Sequence, residues 1–179
     1  GIDKTADSAT SVIHGNDATV AITIGDAYTQ SKPAPTVDKG AKLTPVSNDG
    51  KTYVYTLSGV TDDVTVTVPG LSKNTYKVAL PTGEGYTAKV PDGVDLNSIV
   101  YGTDLSFSID LDEQYNRSKV VVKYNGTVIE PVGKIYTIKN VTHNIGIDET
   151  DPEITVEGVK LNNYYITLPL ESGTGFTIE

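Results

Sequence analysis

His14 and His143 are the only imidazoles in the chain, so a Ser-His-Asp hydrolase would have to use one of them. A catalytic base needs an acid or nucleophile within hydrogen-bond reach, and nothing around either histidine signals such a partner. The carboxylate pairs Asp110/Asp112 and Asp112/Glu113 have the residue types of a glycosidase site. Asp110 and Asp112 alternate with Ile109 and Leu111, which puts them on the solvent face of a strand, where solubility is the simpler reason for them. The acidic run Asp148, Glu149, Asp151, Glu153 offers oxygen atoms to calcium, but it lacks the Asp-x-Asp-x-Asp-Gly spacing. A solvated loop is the simpler reading. Lys32 and Lys119, with Asn140 and Asp104, have the groups for a lysine–asparagine isopeptide bond, in which an acid assists amine attack on the carboxamide. The plainer use of a lysine at a strand edge is to discourage aggregation. The expectation is no catalysis, no cofactor and no metal.

The remaining chemistry is aromatic. Tyrosine is the main large residue, with 11 copies. Tyr28/Tyr115, Tyr55/Tyr136 and Tyr76/Tyr164 recur in related contexts and read as core residues with their hydroxyls at the rim. Tyr53, Tyr101, Tyr124 and Tyr165 do not recur, although Tyr101 is answered by His14. These four are the candidate ligand-surface aromatics, suited to stacking on a sugar or packing on a protein.

The elements that must carry these side chains are strands. Leu105, Phe107, Ile109 and Leu111 alternate with Ser106, Ser108 and Asp110, the period of a half-buried strand. Residues 120–124 and 127–129 flank Asn125-Gly126. Both central residues of a type I′ turn need positive φ, and Asn-Gly supplies them. Further strands are expected at 11–24, 36–37, 51–57, 64–68, 76–80, 86–90, 135–138, 141–142, 145–147 and 154–156, with a start at 164–168 and 176–178. Residues 1–10 read as a loose arm or edge strand. Residues 71–74 and 159–162 read as linkers. No window has the i, i+3, i+4, i+7 stripe of an amphipathic helix. The fold class is all-β with little helix.

The same block occurs twice. Residues 11–32 overlie 98–119 at an offset of 87, with Ser11/Ser98, Gly15/Gly102, Asp17/Asp104, Ile22/Ile109, Tyr28/Tyr115, Ser31/Ser118 and Lys32/Lys119 identical. Tyr55-Thr56-Leu57 answers Tyr136-Thr137-Ile138 at 81, residues 66–70 answer 154–158 at 88, and 76–81 answer 164–169 at 88. Length changes fall in polar, loop-like places. Repeats of this length imply tandem modules. The modules run 1–71 and 72–159, and 160–179 is either the start of a third copy or the closing strand of the second. If a module opens near Ser72, the strand at 164–168 lacks a partner. If it opens near Thr87, residues 76–87 close the first copy.

Composition bounds the partners. The 179 residues carry a net charge of −9 and no Cys, Met or Trp. Absence of cysteine excludes disulfides and thiol chemistry. No basic cluster suits nucleic acid or an anionic membrane surface, and no apolar run approaches spanning length. The chain reads as a segment of something longer.

Gly102, Phe107, Ile109, Tyr115, residues 120–127 and Tyr136-Thr137-Ile138-Lys139-Asn140-Val141-Thr142 together resemble the internalin-B-type B-repeats of bacterial surface proteins, relatives of the Listeria–Bacteroides repeat. The resemblance covers nearly the whole chain, apart from the Gly-Trp that better-known members carry. It implies a secreted or cell-surface bacterial protein, and a non-catalytic stalk, spacer or adhesin segment. The resemblance implies β-grasp-like modules, with an immunoglobulin-like sandwich as the alternative. The alternative is a glycan- or host-protein-binding module. Monomer and strand-mediated self-association are both open.

Overall fold

The computed structural model describes residues 11–167. The expected arm at 1–10, the end of the 164–168 strand and the strand at 176–178 lie outside the described residues. Within them the chain is all-β. The helical elements described are single 3-10 turns, Asp26–Tyr28 and Glu113–Tyr115. No described helix is long and apolar enough to cross a membrane.

The strands, in order, are β1 (Ala18–Thr23), β2 (Thr36–Val37), β3 (Lys42–Asn48), β4 (Thr52–Ser58), β5 (Val66–Thr67), β6 (Thr75–Tyr76), β7 (Tyr86–Lys89), β8 (Ile99–Val100), β9 (Leu105–Leu111), β10 (Val121–Tyr124), β11 (Thr127–Ile129), β12 (Ile135–Ile138) and β13 (Ile154–Glu157). They form small sheets in the orders β1-β4-β3, β11-β10-β13, β12-β9-β7, β2-β5 and β6-β8.

The chain divides into two compact units that interleave in sequence. Among the described residues the first comprises 11–79, 93–105 and 138–151, and the second 80–92, 106–137 and 152–167.

In the first unit β4 is the central strand of its sheet. It pairs antiparallel with β1, Ile22 opposite Tyr53 and Ala18 opposite Leu57, and with β3, Leu43 opposite Leu57. Residues 42–48, outside the strands the sequence predicts, form β3 although Pro45 removes a ladder donor. The chain accommodates Pro45 on an edge strand with a bulge after it, and Val46 there is left without a partner. Ala41, Leu57 and Val60 are buried, with Val12, Ala18, Val20, Val37, Leu43 and Val64 packed against them. The turn at Asp49-Gly50 is held by the Asp49 carboxylate, which accepts the N–H groups of Thr52 (2.6 Å) and Lys51 (2.9 Å). Those two bonds hold its pKa below the usual carboxylate value.

In the second unit Phe107 is fully buried and stacks on Tyr136, centroids 5.6 Å apart at 25°. Tyr136 and Tyr55 are both buried, as is Ile22. Ile109, the counterpart of Ile22 at the offset of 87, is only half-buried. Opposite it in β7 stands Ala88, too small to cover it, whereas Ile22 faces the ring of Tyr53. Asn125 and Gly126 have φ of 47° and 75°, and Tyr124 faces Thr127 across them, the expected two-residue hairpin. Residues 141–142 and 145–147 are not strands. Ile145 makes a single parallel bridge to Val78.

One register occurs in both units. Thr36 faces Thr67 and Val37 faces Val66. At offsets of 87 and 88, Lys123 faces Thr155 and Tyr124 faces Ile154.

Candidate functional site

The residues with catalytic types do not converge. His14 is exposed, in the turn before β1. His143 is exposed and its Nδ1 lies 3.1 Å from the hydroxyl of its neighbour Thr142. Asp110 lies on the solvent side of β9, as the alternation predicts, and pairs with Lys89 at 2.8 Å. That lysine holds the Asp110 carboxyl below its usual value. Asp112 and Glu113 begin the second 3-10 turn. In the acidic loop, Asp151 Oδ2 accepts the N–H groups of Asp148 (3.0 Å) and Ile147 (3.2 Å), so its carboxylate closes a turn. Among the described residues no group of three His, Cys, Asp or Glu could hold a metal ion.

Lys32 and Lys119 are exposed. Asp104 and Asn140 do meet, but through the backbone. The Asn140 N–H donates to Asp104 Oδ1 at 2.9 Å, while Oδ2 takes the Lys139 ammonium at 2.6 Å. Lys139 first, then that N–H, pulls the Asp104 pKa down. Asn140 sits at φ 54°, and its counterpart at the offset of 81 is Gly59, at φ 71°. A left-handed residue is required there in both places.

The four candidate aromatics lie on different elements. Tyr53 is half-buried in β4. Tyr124 is half-buried at the end of β10, and burial raises its phenol pKa. Tyr101 follows β8 and packs on Tyr76, centroids 6.4 Å apart. Tyr165 alone is open to solvent, at 98% exposure.

What the structure does build is a polar clasp, in a stretch that read as linker. In the first unit the 3-10 turn at 26–28 leaves its outer backbone groups without helical partners. Asn74, 2% exposed, supplies them. Its Oδ1 accepts Gln30 N–H (2.8 Å). Its Nδ2 donates to Asp26 C=O and Thr29 Oγ1 (both 2.9 Å) and lies 3.2 Å from Tyr76 Oη. Asn74 N–H donates to Ala27 C=O. Ser31 Oγ donates to Ser72 C=O (2.9 Å) and accepts Ser72 N–H (3.1 Å).

The second unit has the same set. Asn162 Oδ1 accepts Arg117 N–H (3.1 Å), its Nδ2 donates to Glu113 C=O and Asn116 Oδ1 (both 3.0 Å), and its N–H donates to Gln114 C=O (2.8 Å). Ser118 Oγ donates to Lys160 C=O and accepts Lys160 N–H, each at 2.9 Å. Apart from Tyr76, every partner is displaced by 87 on the turn and 88 on the clasping segment. The signal was present in the sequence as Asn74-x-Tyr76 against Asn162-x-Tyr164. Residues 71–74 and 159–162 have the composition of a linker, which conceals it.

Beyond the clasp in the first unit, the chain joins residues 96–101 and 144–145. Thr75 faces Val100 and Tyr76 faces Ile99. Val78 N–H donates to Leu96 C=O and Ala79 N–H to Ile145 C=O, both at 2.8 Å, and Ile145 N–H donates back to Lys77 C=O. Lys77 N–H donates to Asn144 Oδ1 (3.0 Å).

This arrangement can hold segments in register. It presents no nucleophile beside a base, and its polar groups satisfy one another. Comparison with protein-family models, curated proteins and solved structures finds no match to this chain.

Proposed function

We propose that the chain is a non-catalytic tandem-repeat segment of a secreted or cell-surface bacterial protein, acting as a spacer or adhesin module. The observation that carries this reading is the recurrent clasp. The same pattern of six bonds among seven residues at 26–31 with 72–74 returns at 113–118 with 160–162. Each clasp fixes the start of the segment that follows it. A protein that needs length benefits from units that each define the entry of the next. The B-repeat-like motifs, the acidic charge of −9 and the absence of cysteine support the location.

The test is functional insertion. Zero, one and two copies of the chain would be placed between a cell-wall anchor and an epitope, and antibody access measured on intact cells. Access that rises with copy number supports the spacer. Access that ignores copy number contradicts it.

A second reading, a glycan- or host-protein-binding module, is favoured by Tyr165. Its counterpart is Lys77, so the pattern that explains Tyr164 and Ile166 leaves its exposed ring unexplained. A glycan and matrix-protein array would show binding that Tyr165→Ala removes. An array with no binding would remove this reading. Self-association through a strand belongs with the first reading.

A further inference from the structure

We propose that residues 164–167 are a strand donor for the open edge at Val12, Ile13 and Val64 of a second copy of this chain, so that copies add head to tail. The template for the contact lies within the first unit, in the pairing of residues 75–79 with 96–101 and 144–145. There Val78 is 6% exposed and Ile145 fully buried.

The donor is launched the same way. Where Gln30 Nε2 donates to Thr75 C=O (3.0 Å), Arg117 Nη1 donates to Asn163 C=O (3.3 Å). The Arg117 guanidinium also lies 4.6 Å from the Tyr164 ring centroid, which holds that ring at the base of the segment. Tyr164 and Ile166 answer to Tyr76 and Val78. They are 70% and 87% exposed.

The acceptor is the counterpart of the template's other half. An offset of 87 carries Ile99, Val100 and Tyr101 onto Val12, Ile13 and His14, and 81 carries Asn144 and Ile145 onto Asp63 and Val64. Ile13 is 76% exposed where Val100 is 41%. No described strand pairs with Val12 and Ile13. The N–H and C=O of Val64 have no hydrogen-bond partner among the described residues. In the docked pair Asn163 faces Ile13, Tyr164 faces Val12 with its ring against His14, and Ile166 covers Val64. Thr167 N–H donates to Val64 C=O, and Tyr165 N–H donates to the Asp63 carboxylate, which stands where Asn144 Oδ1 stands in the template. The occupant is a second copy because the edge matches the chain's own strand position by position. Donor and acceptor are different surfaces, so the contact is heterologous and propagates rather than closing a two-fold dimer.

The inference does not depend on the location or spacer role proposed above. The chain has no cysteine, so two full-length single-cysteine chains test it cleanly. One carries Ile13→Cys and the other Asn163→Cys. Opposed residues of an antiparallel pair lie within disulfide reach. Mixed in equal amounts and oxidised gently, they should give the mixed dimer well above its random share of half. Adding Ile166→Asp to the donor should return it to that share. Ile166 is exposed, so this variant should keep the parent's circular dichroism and urea midpoint. A random share in the first mixture, or a preference that survives Ile166→Asp, overturns the proposal. The unmodified chain should also sediment faster as concentration rises, and Ile166→Asp should abolish that rise. A concentration-independent monomer at hundreds of micromolar would equally overturn it.

Discussion

Replacing Asn74 by alanine removes the side-chain half of the first clasp while leaving its backbone bonds in place. Gln30 N–H and Asp26 C=O lose their partners, and Thr29 Oγ1 and Tyr76 Oη lose a neighbour. A hydrogen bond contributes about 1 kcal/mol net, and a buried group left unpaired costs about 1–3 kcal/mol. Asn74 is 2% exposed, but the bonds to Gln30 N–H and Asp26 C=O are only part-buried, so the two stranded backbone groups cost the lower part of that range each, together about 2–4 kcal/mol. On the scale of about 2–4 °C per kcal/mol for a chain of this size, Tm falls by roughly 4–16 °C. The urea midpoint, read by far-ultraviolet circular dichroism, should fall with little change in slope. Asn162→Ala is the matched control. Its bonds are longer and the residue is half-exposed, so the cost is about 1 kcal/mol. Asn74→Asp adds a sign test. The new carboxyl keeps the acceptor for Gln30 N–H but, when ionised, faces Asp26 C=O with a negative charge. Burial and that carbonyl favour its protonated form, which can donate to Asp26 C=O. Its penalty is therefore full at neutral pH and shrinks as pH falls. A cost below about 0.5 kcal/mol for Asn74→Ala, or equal costs at positions 74 and 162, would refute the reasoning.

Three other perturbations have defined outcomes. Gly126→Val puts a β-branched residue at φ 75°, and because a Cβ there meets nothing within 4 Å the cost is backbone strain alone. About 1 kcal/mol or more is expected in urea denaturation, and a neutral result contradicts the turn. Phe107→Ala empties a fully buried site stacked on Tyr136 and should cost about 3–5 kcal/mol, measured the same way. Asp104, Asp110, Asp62 and Asp49 all have depressed carboxyl pKa values, the first three chiefly through lysine hydrogen bonds and Asp49 through backbone N–H groups. A depressed carboxyl contributes stability above its ordinary value and loses it as pH falls through the folded one. The urea midpoint should therefore drop below about pH 4, and Asp104→Asn should flatten part of that drop. A midpoint that holds or rises on acidification would contradict it.

Local rules carried the strands well. The alternation at 105–111 became β9, and Asn125-Gly126 became the hairpin turn, because period and turn chemistry act within a few residues. Residues 42–48 escaped because Pro45 masks a strand whose other residues still pair with β4. The half-exposure of Ile109 escaped for another reason. It depends on Ala88, a neighbour 21 positions away whose pairing no local pattern announces. The Asn74 clasp was hidden because its residues are small and polar, the composition of a loop. Only the spacing of asparagine against the 3-10 turn 44–48 residues earlier reveals it. The candidate aromatics were legible as residues, but not as a surface. Tyr101 is taken up by Tyr76, and Tyr165 remains the one open ring of the four.

The pairing of residues 75–79 with 96–101 and 144–145 is the template for the strand-donor proposal. Nuclear Overhauser contacts in solution test it directly. The account predicts contacts between the Tyr76 and Tyr101 rings, between the Hα protons of Thr75 and Val100, and from Val78 to Ile145. Beyond its clasp-side hydroxyl, Tyr76 should show no ring contacts with β1–β5. Contacts from Tyr76 and Val78 to those strands, with none to residues 96–101 or 145, would contradict it.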